Sequence, residues 1–260
     1  MARSVADAAV LLGVMAGAND AADVATVAAA AHRRTDYTDA LDPAALDGAR
    51  IGVLRDAMGR NPELDAVMER TIAAMKAAGA TVLDSKLPSA GDWDDAEYTV
   101  LLYEFKDGLN RYLRGSGSLV GSLADLIEFN KANADLEMPW FGQEILLQAQ
   151  EKGSLDEADY REAASEAKRL AGPEGIDAAL EHDDLDALVA PATGPAWVTD
   201  LVNGDHFGGA GYGAAAVAGY PSVTVPIGDV HGLPVGVILM GAQWSEPELI
   251  GLAYSLEQAT

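Results

Sequence analysis

Cysteine is absent from this 260-residue chain. Disulfides and thiolate metal sites are thereby excluded, a composition that fits a cytoplasmic protein. Aromatic residues make up only 6% of the sequence, and lysine is scarcer still, with six residues against 25 Asp. No apolar run is long enough to span a membrane, and the first residues lack the pattern of a signal peptide. A targeting segment farther upstream is compatible with both observations. Positive charge is in short supply throughout: 17 Lys and Arg stand against 41 Asp and Glu, for a formal net charge of −24. That balance argues against nucleic-acid binding through phosphate neutralisation and against adhesion to an anionic membrane. Two explanations of the acidity stay open: a strongly hydrated soluble surface, and adaptation to high salt, where screening relieves self-repulsion.

Hydrophobic residues supply 49% of the chain, enough for a folded core. The length suits one large domain or two small ones. Ser4, with Asp7 three residues on, has the spacing of a capping box, and Val5, Ala8, Ala9, Leu12 and Met15 make an apolar helical stripe that Gly17 is placed to end. An Ala- and Asp-rich connection over 18–47 follows. Residues 50–54 read as a buried strand, and Asn61 and Pro62 as the cap and first residue of a helix. Leu64, Val67, Met68, Ile72 and Met75 form the buried face of that helix, Gly79 closes it, and 80–83 is the next strand. This strand–helix–strand unit predicts a parallel sheet component. Between 93 and 180 the pattern is helical, with segments at 119–130, 141–152 and 157–170 and helical apolar spacing from Tyr98 to Tyr112. Strands return at 185–190, 222–226 and 235–240, the last two joined by a short turn at 228–232. A final helix begins at Ser245, with Glu248 completing a capping box and Trp244 and Leu249 placed as a hydrophobic staple. Neither an internal repeat nor a low-complexity linker divides the chain, so one α/β domain over 1–260 is the simplest expectation.

Catalytic chemistry is scarce in these residues. A serine nucleophile needs a tight turn, a base and oxyanion donors, and no Gly-x-Ser-x-Gly elbow occurs. Gly115-Ser116-Gly117-Ser118 follows a helix rather than a strand and reads as a surface connection. His32, His182, His206 and His231 show no i, i+4 metal spacing, so neither a metal nor a cofactor is expected. Asp205 and His206 form the best polar pair, compatible with a loop hydrogen bond and with a site alike. Gly209-Ala210-Gly211-Tyr212-Gly213-Ala214 fits the pattern Gly-x-Gly-x-x-Ala, but no strand precedes it. Close backbone approach, leading into a short helix at 214–218, is therefore expected in place of nucleotide binding. Trp140, Phe141, Gln143 and Glu144 mark either a helix start with aromatic core packing or one wall of a substrate pocket.

Several segments taken together resemble the amidase signature family of Ser hydrolases: 2–9, 188–193, 215–228 with Gly219-Tyr220-Pro221-Ser222-Val223-Thr224-Val225-Pro226 at its centre, 233–237 and 257–260. Residues 103–106, 136–144, 193–197 and 203–207 are most similar to its peptide-amidase branch. The resemblance implies the C-terminal part of the family's α/β/α fold, a mixed sheet covered by helices. It also implies a mechanism in which a Lys acts through a bridging Ser to activate a second Ser. That Ser attacks the amide carbonyl while backbone N–H groups of a Gly-rich loop hold the oxyanion. The family places the Lys and both Ser in its N-terminal half, ahead of the helix that opens this chain. No Ser-Ser dipeptide occurs here, so no catalytic residue is carried over, and the reacting groups are expected upstream of Met1.

What the resemblance leaves to these 260 residues is scaffold and part of a substrate pocket, with Trp140, Gln143, Thr193, Asp205, His206 and Phe207 as the pocket-facing candidates. The expected partners are a small-molecule or peptide amide substrate and the missing N-terminal half, with no nucleic acid and no membrane. Two further readings stay open beside the hydrolase: a non-catalytic or split-enzyme binding subunit, and an amidotransferase A-type subunit.

Overall fold

The computed structural model describes the chain from Met1 to Thr260 apart from Ala18, Ala22 and the side chain of Val24, so part of the expected 18–47 connection lies outside the described residues. In chain order the helices are α1 (Val5–Met15), α2 (Val24–Ala28), α3 (Pro62–Ala77), α4 (Asp94–Ser116), α5 (Leu123–Ala132), α6 (Ala134–Glu137), α7 (Glu144–Glu151), α8 (Ala158–Ala171), α9 (Ala178–Asp183), α10 (Gly213–Ala218) and α11 (Glu246–Ala259). The strands are β1 (Arg50–Leu54), β2 (Thr81–Ser85), β3 (Ala187–Pro191), β4 (Ser222–Val230) and β5 (Leu233–Met240). Contacts between Cα atoms divide the chain into two compact units. One comprises Met1–Ala90, Ala171–Trp197 and Phe207–Thr260; the other comprises Gly91–Leu170 and Val198–His206.

The first unit carries a mixed sheet in the order β2-β1-β3-β5-β4, with β1 parallel to β2 and β3, and β5 antiparallel to β3 and β4. The predicted strand–helix–strand unit is β1, α3 and β2. Asn61 caps α3 by accepting the Leu64 N–H (3.0 Å), and Pro62 occupies the first turn, where its missing N–H is no loss. Every residue expected on the buried face of α3 is buried. Along the strands the side-chain period is two. Ile51, Val53, Ala187, Val189, Val237 and Leu239 face one way and share a core with Val5 and Ala9 of α1, Met68, Ile72 and Met75 of α3, and Leu249 and Leu256 of α11. The alternate residues Leu188, Ala190, Ile238 and Met240 are buried as well, which explains the unbroken apolar runs of β3 and β5.

Two local expectations are corrected here. The turn joining β4 to β5 is only His231 and Gly232, both at positive φ (53° and 79°), as in a type I′ hairpin that follows the strand twist. β4 continues past Pro226 to Val230 through a bulge between Pro226 and Gly228, where Gly228 has φ 134°. At α11, Ser245 is the N-cap residue but its hydroxyl donates to Ala242 O (2.7 Å), so the expected capping box with Glu248 does not form. Leu249 lies in the core, while Trp244 stacks on His32, the ring centroids 4.4 Å apart and the planes 7° from parallel.

The second unit is helical. Leu102 of α4, Leu123 and Ile127 of α5, and Ala149 of α7 form its small core. Tyr103, also buried, donates its hydroxyl to Glu157 Oε2 (2.8 Å) with Asp159 Oδ2 at 3.1 Å, and Lys152 Nζ stands 5.1 Å from its ring centroid. The Glu157 bond, with burial and the Asp159 bond behind it, pushes the Tyr103 phenol well above its ordinary value. Tyr160 donates to Glu104 Oε1 (2.7 Å), and that bond, with partial burial, pushes its phenol up to about 12.

Candidate functional site

In open α/β sheets, ligands bind beyond the carboxyl ends of the parallel strands. In the first unit this is where the chain leaves β3 and, after 198–206, returns at Phe207. The returning strand of backbone lies directly on the outgoing one. Thr193 pairs with Ala210 in an antiparallel bridge, Gly194 N–H donates to Gly209 O (3.3 Å), and Gly211 N–H is shared between Pro191 O and Ala192 O, each at 3.1 Å. Such closeness requires glycine. A Cβ on Gly211 would stand 2.5 Å from Ala190 Cβ and 2.6 Å from Pro191 O. This is the close backbone approach expected of the Gly209–Ala214 run, and the short helix that follows it is α10. From the loop after β1, Arg60 Nη1 donates to Gly208 O (3.1 Å). Trp197 and Phe207 meet edge to face, with centroids 6.1 Å apart and planes at 63°. The result is a wall of two partly exposed aromatic rings, a glycine-lined backbone and one guanidinium. Aromatic faces, backbone amides and a guanidinium are the kinds of group that line ligand pockets. The Thr193 hydroxyl donates to Gly194 O (3.0 Å).

The other candidates belong to the second unit. Trp140 and Phe141 are each 61% exposed, which corrects the reading of a helix start with aromatic core packing. Gln143 precedes α7, and both ends of its amide are engaged with α5: Oε1 accepts from Asn130 (3.1 Å) and Nε2 donates to Ile127 O (3.2 Å). His206 Nε2 stands 3.4 Å from Asp200 Oδ2, an acidic neighbour six residues back. Asp200 is fixed by an Asx turn. Its carboxylate accepts the backbone N–H groups of Val202 and Asn203 and the Asn203 side chain, each at 2.9 Å. The Asn203 backbone and side-chain bonds, then the Val202 bond, hold the Asp200 carboxyl far below the usual carboxylate range. Sequence reasoning passed over Asp200, although an Asp entering a loop that holds Asn203 and Gly204 is a residue type that forms such a turn. It also left Arg60 aside, whose role is visible only once Gly208 is placed beside it.

Other polar side chains away from this wall hold structure. Lys106 Nζ donates to the carbonyls of Gln150 and Lys152 at the end of α7. Ser116 Oγ donates to Leu113 O (2.9 Å) at the end of α4, where Gly117 takes the left-handed cap at φ 71°, so the Gly/Ser run is a helix terminus. Ser85 Oγ donates to Asp183 Oδ2 (3.2 Å), and Arg55 is pinned between Asp84 and Glu69. Hydrogen bonding to Asp84 in particular raises the Arg55 guanidinium above its ordinary value. Among the described residues, no group of three or more His, Asp or Glu is placed to hold a metal ion, and no helix is long and apolar enough to cross a membrane.

The family model for amidases matches residues 1–250, and the chain belongs to the amidase family. It is 50% identical to peptide amidase PAM, whose crystal structure with the competitive inhibitor chymostatin superimposes with a TM-score of 0.93 over 99% of this chain and 53% of that one. The native peptide amidase of Stenotrophomonas maltophilia is 49% identical, with a TM-score of 0.91 over 100% of this chain and 52% of that one. Among curated relatives, a probable amidase of Arabidopsis thaliana is 30% identical over 266 residues, covering 99% of this chain and 47% of its own length. The A-type subunit of the glutamyl-tRNA(Gln) amidotransferase of Acinetobacter baylyi is 29% identical over 273 residues, covering 100% of this chain and 54% of its own length. The chain thus spans about half the length of the relatives it matches.

Proposed function

We propose that these 260 residues supply the scaffold and part of the substrate-binding wall of an amidase that cleaves carboxamide C–N bonds, in peptide amides or small amides, through a Ser acyl-enzyme. The observation that carries this reading is the near-half identity to two peptide amidase structures along essentially all of this chain. It favours a hydrolase of peptide amides over the amidotransferase subunit, to which the chain is less similar. On this reading Trp197 and Phe207, with Thr193 and the glycine-lined backbone beside them, receive the substrate beyond β3. The acyl-forming Lys and Ser residues come from sequence that this chain does not contain, and without them the chain is inactive.

The test supplies in trans the part of a peptide amidase that this chain does not span and follows ammonia release from a peptide amide. The complemented pair hydrolyses the amide, and Phe207→Ala or Trp140→Ala changes the preference among amides with different side chains, read as kcat/KM. No ammonia release despite a formed complex would overturn the assignment. Unchanged preference in both variants would remove those two residues from the pocket.

A further inference from the structure

In the first unit, a cavity of about 190 Å³ lies between the end of α1, the segment 26–37 and the start of α11. Its lining residues include Leu12 and Met15, His32 and Trp244 with their rings stacked on each other, and the oppositely charged Arg33 and Glu246. Trp244 adopts φ 68°, a left-handed backbone conformation that a bulky residue takes only when its surroundings enforce it. Arg33 Nη1 donates to Asn19 Oδ1 (2.6 Å). A guanidinium has five N–H donors in a rigid fork, so others remain for a ligand.

We propose that this cavity binds a free aromatic amino acid. The ring lies against Met15 and the Trp244 indole, the carboxylate meets Arg33 and the ammonium meets Glu246. Three physical arguments select this class. The volume is below the roughly 300–1,000 Å³ of sites for drug-sized ligands, which limits an occupant to about one ring with a short substituent. The wall pairs an apolar aromatic floor with one positive and one negative side chain, the complement of a zwitterion with an apolar side chain. A zwitterion also enters the field of a protein of net charge −24 without the repulsion that opposes an anion such as a nucleotide.

The test needs no amide hydrolysis and stands whether or not the chain is half of an amidase. The purified chain is titrated with L-phenylalanine while Trp fluorescence is followed. Hydrocinnamate, which lacks the ammonium, and phenethylamine, which lacks the carboxylate, serve as comparators, and amide resonances are mapped by NMR. Saturable binding in the millimolar range is expected, with shifts confined to residues 12–37 and 244–246. Glu246→Gln and Arg33→Gln should each weaken it by about tenfold or more, the effect of removing a charge-assisted hydrogen bond. Neither side chain belongs to the core, so both variants should keep the wild-type circular dichroism spectrum. Absence of saturable binding, shifts centred elsewhere, or equal affinity for the two comparators and both variants would overturn the proposal.

Discussion

At Gly211 the backbone passes so close to β3 that an added Cβ meets Ala190 and Pro191 within 2.6 Å. Both neighbours are held, one in the sheet and one by its hydrogen-bonded carbonyl, so neither can give way cheaply. Gly211→Ala should therefore destabilise the fold by about 1–3 kcal/mol, the range for forcing an extra carbon into a packed region, read as a lower urea midpoint at unchanged m-value. The sequence made the need for a close approach visible there, through the spacing of glycines with no strand before them. It did not reveal that His206 meets Asp200, because that depends on the Asp200 turn folding back over six residues. Tyrosines give the residue scale a pH signature. Tyr160 is pushed up to about 12 by its bond to Glu104, and Tyr220 to about 12 by burial and its bond to Asp177. A phenol whose folded-state value exceeds its unfolded value near 10 stabilises the fold while it stays protonated. That contribution is complete below about 10 and is lost as pH rises towards 12. Stability should fall across this window, and Tyr160→Phe should flatten the fall.

Among the elements, α3 and α11 show what a cap motif can and cannot say. The Asn61 side chain accepts the Leu64 N–H and Pro62 stands in the first turn, so the expected cap forms. Asn61→Ala should lower stability by about 1 kcal/mol, measured by thermal or urea unfolding. Ser245 instead turns both its N–H (3.2 Å) and its hydroxyl (2.7 Å) to Ala242 O, three residues back, and its Oγ caps no backbone N–H of α11. The spacing alone does not show that preceding carbonyl. The helical period of α4 was equally legible, yet Tyr98, Leu101 and Phe105 are substantially exposed, because periodicity reports a helix and not what covers its stripe. In the β4–β5 hairpin, His231 sits at φ 53°, where asparagine is better accommodated. His231→Asn should stabilise the protein by about 0.5 kcal/mol, since the side chain only approaches Glu63 at 3.8 Å across solvent.

At the scale of the whole chain, the family was legible from segments dispersed along its length, and so was the mixed sheet. The division into two units was not. The second unit is assembled from 91–170 and 198–206, two stretches with no compositional linker at their borders, so only the contacts between them define it. The net charge of −24 acts at this scale too. Acidic side chains outnumber their cationic partners, and ion screening should relieve their mutual repulsion. The unfolding temperature is expected to rise from low to molar sodium chloride, whereas a steady fall would assign the acidity no role in stability under salt. The central proposal concerns chemistry: that these residues form part of an amide-binding wall while the acyl-forming groups lie in sequence outside them. Ammonia release from a peptide amide, measured with the purified 260-residue chain alone, tests it most directly. No release above the uncatalysed background is predicted, and turnover that scales with the concentration of the chain would contradict the account.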